Sequence, residues 1–177
     1  MKFKITLVLL SALILSSCSP DNEDYTSSET ANNIIVIGGA TTTDLTNQSF
    51  QTELMAGQNI YAGIVNVDIK DGVVVVSYSS DTEWEITETH LYIGALNLLP
   101  TTGNGNPMIG QFPYADTHPV GTINVEIVGP TISEGDCVYI AAHAVVVNSD
   151  TGDDETAWGA GEPIGGTSWA MMFEYCY

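Results

Sequence analysis

Val65-Asn66-Val67-Asp68-Ile69-Lys70-Asp71-Gly72-Val73-Val74-Val75-Val76-Ser77-Tyr78 decides the fold class. Val65, Val67 and Ile69 alternate with polar residues, the period of a half-buried strand. A second β-branched run follows at Val73–Tyr78. Asp71-Gly72 between them predicts a two-residue hairpin turn, because a type I′ turn needs positive φ at both central positions. Such a loop fixes the register. Ile69 should face Val74, Val67 should face Val76 and Val65 should face Tyr78, giving one apolar stripe on one sheet face.

Downstream, more strands are predicted. Glu83–Gly94 is one, but its apolar positions change parity, from Trp84 and Ile86 to Leu91 and Ile93. A bulge or bend near Thr87–His90 would reconcile the two halves. Leu96–Pro119 is rich in Pro and Gly and reads as a long loop packed by Met108, Phe112 and Tyr114. Thr122–Val128 alternates, with Ile123, Val125 and Ile127 inward. Cys137–Val147 is apolar on both parities, as a central strand covered on both faces should be. Asn148–Gly166 is acidic and Gly-rich, and Ser168–Tyr177 is a last strand.

Upstream, Ile34–Ile37 followed by Gly38-Gly39 predicts a short strand and turn. Ala40–Gln51 looks irregular, and Glu53–Gly57 reads as a single helical turn or none. No stretch of the domain carries a convincing helical period. The expectation is all-β: an antiparallel β-sandwich of about seven strands, one domain over residues 34–177.

The first 33 residues differ in kind. Lys2 and Lys4 precede an apolar run from Ile5 to Leu15, and Leu15-Ser16-Ser17-Cys18 closes it. This resembles a bacterial lipoprotein signal peptide, residues 1–17, ending in a lipobox. The run is too short to cross a bilayer as a helix. The resemblance implies cleavage before Cys18, lipid on Cys18 and a domain tethered outside the cytoplasm. Residues 18–33 are polar and acidic, the composition of a flexible tether. Ser19 stands where an inner-membrane retention signal would place Asp, and the acidic stretch behind Cys18 resembles the surface-export signals of lipoproteins in the Bacteroides group. The expected localisation is the outer membrane, at the cell surface.

Charge excludes one class of partner. The chain has 22 acidic residues against three Lys and no Arg, a formal charge of −19. Lys70 is the one cation beyond residue 4. Such a chain cannot neutralise phosphates, so nucleic acid is excluded as a partner. The acidity reads either as solubility at a crowded surface or as carboxylates gathered around a divalent cation.

From Leu54 on, the chain resembles a β-rich module of secreted bacterial proteins and lipoproteins. The pieces are Ala56-Gly57-Gln58, Glu88-Thr89-His90-Leu91-Tyr92-Ile93-Gly94, Gly110-Gln111-Phe112-Pro113-Tyr114, Tyr139–Val146, Glu155-Thr156-Ala157-Trp158-Gly159 and Trp169-Ala170-Met171. The resemblance implies an exported globular domain and carries no activity.

Candidate sites follow from residue type. Cys137 and Cys176 are an even pair in an oxidising compartment, so a disulfide is expected, against two buried thiols as the alternative. Closing a loop of about 40 residues would contribute about 3–4 kcal/mol in the chain-entropy model. Asp150, Asp153, Asp154 and Glu155 crowd one loop with oxygen ligands that suit calcium, though not in EF-hand order; a solvated loop is the plainer reading. His90, His143 and His118 could ligate a metal, but without a His-x-His spacing a hydrogen-bonded core histidine is the commoner outcome. Trp158, on a loop flanked by Gly159 and Gly161, and Tyr114 could stack on a glycan; aromatic core positions are the alternative. No nucleophile elbow or phosphate loop occurs. Two functions remain: a lipid-anchored binding or structural module without catalysis, its ligand a glycan or a surface protein, or a metal-dependent hydrolase using His90, His143 and Glu88.

Overall fold

The computed structural model describes residues 34–37, 40–43 and 49–177. The signal, Cys18 and the acidic tether lie outside the described residues. Ile34–Ile37 (β1) and Ala40–Thr43 (β2) pair as a two-stranded sheet, and the first compact unit ends at Thr42, within β2. The main unit runs from Thr43 to Tyr177.

Its strands are β3 (Phe50–Ala56), β4 (Ile60–Lys70), β5 (Val73–Ser80), β6 (Trp84–Gly94), β7 (Tyr114–Thr117), β8 (Asn124–Thr131), β9 (Cys137–Asn148), β10 (Asp154–Gly159), β11 (Glu162–Pro163) and β12 (Met171–Cys176). All pairings given for them are antiparallel. The β4–β5 hairpin has the expected register, Ile69 opposite Val74, Val67 opposite Val76 and Val65 opposite Tyr78. Asp71 and Gly72 both have positive φ, 53° and 78°, as type I′ requires. The expected bulge in β6 lies between Ile86 and Glu88, where its register against β9 slips by one. That slip lets Ile86 and Leu91, of opposite parity, both point into the core.

The sandwich expectation is corrected. Ten strands form one sheet in the order β7–β6–β9–β10–β3–β4–β5–β8, with β12 and β11 continuing from the first half of β9. β9 holds this together. Along one edge it pairs with β6 from Tyr139 to Asn148; along the other it pairs with β12 and then with β10. A sheet that curls back on itself needs no second layer. Its interior is filled by Leu54, Val65, Val67, Val76, Tyr78, Ile86, Leu91, Ile140 and Val146, all fully buried.

The count rose because four strands of this sheet were hidden, one of them the two-residue β11 inside the acidic segment. β3 replaces the expected helical turn: its Glu, Leu, Met and Ala are helix formers, but alternate burial against β4 and β10 overrides propensity. β7 lies inside the predicted loop, and β10 inside the acidic segment. Thr122–Val128 is half right. Val125 and Ile127 pack on the core, whereas Ile123 is exposed.

The barrel is not fully laced. At one end the Ile86 N–H donates to the Thr122 carbonyl, 2.7 Å. Further along, the Ile93 side chain packs against Gly129 of β8. Between these points β7 and β8 face each other without a ladder.

Candidate functional site

Two concave regions lie on opposite faces of β6. The first is the seam between β7 and β8, a groove of about 600 Å3. Tyr114, Ala115, Asp116 and His118 line one side, and Asn124 to Val128 line the other. Thr89, fully buried, is at its base, and its hydroxyl lies 2.8 Å from His118 Nε2. His118 is held there because its backbone N–H donates to Thr87 O, extending the β6–β7 ladder.

The edge of β8 is open here. Ser80 N–H donates to Ile123 O, 2.9 Å, and Tyr78 and Val76 stand opposite Val125 and Ile127. In an antiparallel ladder hydrogen-bonded pairs alternate. Ile123, Val125 and Ile127 therefore direct their backbone groups to β5, and Asn124, Glu126 and Val128 direct theirs into the seam. Val128 is exposed, and Glu126 meets Lys70 at 3.2 Å on the surface. Pro130, inside β8, was a sequence sign of an edge strand, since a central strand rarely accommodates proline.

The second region is on the outer face, under the 96–113 segment. His143 of β9 and His90 of β6 are register partners, with their Nδ1 atoms 3.3 Å apart. The Trp158 ring lies over His143, centroids 4.8 Å apart, and Phe112 meets Trp158 edge-on. His143 is 2 % exposed. Burial, and secondarily the neighbouring His90, lower its pKa to about 4. One imidazole donates and the other accepts, so each satisfies the other. A cavity of about 210 Å3 adjoins them, lined by Asn106, Thr156, Trp158, Ser168 and Trp169.

The expected site residues are thus dispersed. Trp158 is not on a flexible loop but is a buried β10 residue, 4 % exposed, because β10 pairs on both edges. Tyr114 lines the other groove, so the two aromatic candidates do not form one platform. The three histidines do not converge: His118 joins Thr89, while His90 and His143 pair with each other. Among the described residues, the one trio of ligand atoms within 4.8 Å is Cys137, Glu174 and Cys176. Both of its sulfurs are spent on the expected disulfide, with Cα atoms 4.0 Å apart because Cys137 and Cys176 are direct cross-strand partners. Glu88 does not complete a trio with His90 and His143.

The acidic loop is held by Asn148. Asn148 Oδ1 accepts from the N–H groups of Asp150 and Thr151, and Asn148 O accepts from Gly152. Asp154 and Glu155 are consecutive strand residues, whose side chains alternate between faces. Asp150, Asp153, Asp154 and Glu155 therefore bring no three carboxylate oxygens within 4.8 Å. Asn148 followed by Asp150-Thr151-Gly152 was the available signal, an Asx turn closing a hairpin. No protein-family model, curated protein or solved structure matches the chain.

Proposed function

We propose that the protein is an extracytoplasmic binding module, carried on the membrane by lipid at Cys18 and working through the β7–β8 seam rather than through catalysis. The groove carries this reading. It has the volume of ligand sites, commonly about 300–1,000 Å3, whereas the cavity beside His143 falls below that range. Its lining combines half-buried Val125 and Ile127 with Thr89, Asp116, His118 and unspent backbone groups, a mixed surface in which polar groups predominate. The signal-like first 17 residues and the resemblance of the later segments to exported modules support the outer-membrane, surface-exposed location.

Glycans and surface proteins are the ligand classes this chemistry admits. A metal-dependent hydrolase at His90, His143 and Glu88 is the second reading, favoured by the close imidazole pair. Screening the purified chain against a glycan array and an extended-peptide array, with zinc content measured in parallel, separates the two. Saturable binding without turnover, weakened by substitutions in the seam, is expected. Stoichiometric zinc, with hydrolysis abolished by chelator, would overturn it in favour of the second reading. Cys18→Ala is expected to release the protein from membrane fractions or leave the signal uncleaved; a processed, acylated mutant would rule out the lipid anchor at Cys18.

A further inference from the structure

We propose that the seam takes an extended, cation-bearing peptide of a partner protein, which adds as a strand to the free edge of β8. This rests on the binding-module reading and names its ligand.

Three observations point to a strand. Among the described residues, the backbone groups of Asn124, Glu126 and Val128 face the seam unpaired by any neighbouring strand. An exposed edge of this kind is a template for main-chain pairing. β7 does not fill the gap: it pairs with β6 from Tyr114 to Thr117 and forms no ladder with β8. The side chains offered beside the edge are Val125 and Ile127 on the inner face, which suit alternate apolar residues of an incoming strand. β7 runs opposite to β8, so one added strand can be antiparallel to only one of them. The eight residues of β8 offer the longer ladder.

Charge names the partner. Asp116 and Glu126 line the groove with no Lys or Arg among its lining residues. Glu126 already meets Lys70, the sole Lys or Arg beyond residue 4, so no further Lys or Arg of the domain is left to pair with Asp116. A chain of formal charge −19 also repels its own copies. A basic segment of another protein is the complementary occupant.

The test uses the purified full chain and a labelled seven-residue peptide alternating valine and lysine. Binding is read by fluorescence anisotropy at low and high salt. The peptide is expected to bind saturably and to weaken on adding salt. N-methylation of alternate residues, on the ladder side only, should weaken it about tenfold or more, because each methyl removes a donor. Val128→Pro removes a seam-facing N–H and should likewise abolish binding, whereas Val128→Ala keeps it. Near-ultraviolet circular dichroism reports that both variants fold, as an edge position with a free N–H allows.

Equal binding of the N-methylated and plain peptides would overturn strand addition. So would preference for a valine–glutamate peptide, or self-association of the chain through this edge. Binding of a glycan but no peptide at the seam would overturn this inference and leave the binding-module reading standing. Binding of neither would overturn both.

Discussion

His143 shows how one side chain can be settled by its surroundings. It is buried beneath Trp158 and paired with His90, so the neutral form is favoured and its pKa falls to about 4. The unfolded chain takes up that proton near pH 6.5. The contribution of His143 is therefore complete above pH 6.5 and is lost as pH falls from there toward 4, about 3 kcal/mol in all. Urea unfolding of the wild type and His143→Gln should show the two curves converging across that window; a constant gap between them would remove His143 as the group responsible. Tyr78 is the opposite case. Among the described residues its hydroxyl is the buried side-chain polar atom without a partner, and burial raises its pKa. Tyr78→Phe removes that cost and should stabilise the domain by about 1 kcal/mol. Destabilisation would mean that the hydroxyl is satisfied after all. Neither role was legible in the sequence. Tyr78 was correctly placed on an inward stripe, but the pattern says nothing about what its hydroxyl meets.

The elements divide by how locally they are specified. The β4–β5 hairpin was readable to the residue, because Asp71-Gly72 and the alternation on either side impose the same register. The β6 bulge was readable because a strand whose inward parity switches midway must carry an extra residue at the switch. β7 and β10 were not readable, since four and six residues with Asp, Thr, Glu and Gly acquire strand character only from the neighbours they pair with. Loops were worse still. The cover over His143 depends on Asn106, whose Oδ1 accepts from the N–H groups of Thr167 and Ser168, at 2.8 and 3.0 Å. These partners are 61 and 62 positions away, beyond any local pattern. Asn106→Ala should cost about 1 kcal/mol and expose the tryptophans beside the cavity to acrylamide quenching. Unchanged quenching would mean that the two segments hold together without this clamp.

At the scale of the molecule, strand patterning placed the chain among all-β folds, and the choice of a sandwich over a barrel was the part that failed. Both present alternating strands with an apolar face, and closure depends on how far the sheet curls. The charge was legible, its arrangement was not. Among the described residues, the four loop carboxylates bring no three oxygens within 4.8 Å of one another, while Asn148 closes the turn through backbone N–H groups. Melting temperature should rise equally in CaCl2 and in NaCl of matched ionic strength, by screening of the net charge. A calcium-specific rise would contradict that placement. The proposed binding at the seam rests above all on the open edge of β8. Amide hydrogen exchange resolved by residue is its most direct measure. Val125 and Ile127, laddered to β5, should exchange slowly, while Asn124, Glu126 and Val128 exchange fast in the free protein and become protected when the valine–lysine peptide is added. Uniform protection of all five amides without peptide would show the seam already closed, and would contradict strand addition at β8.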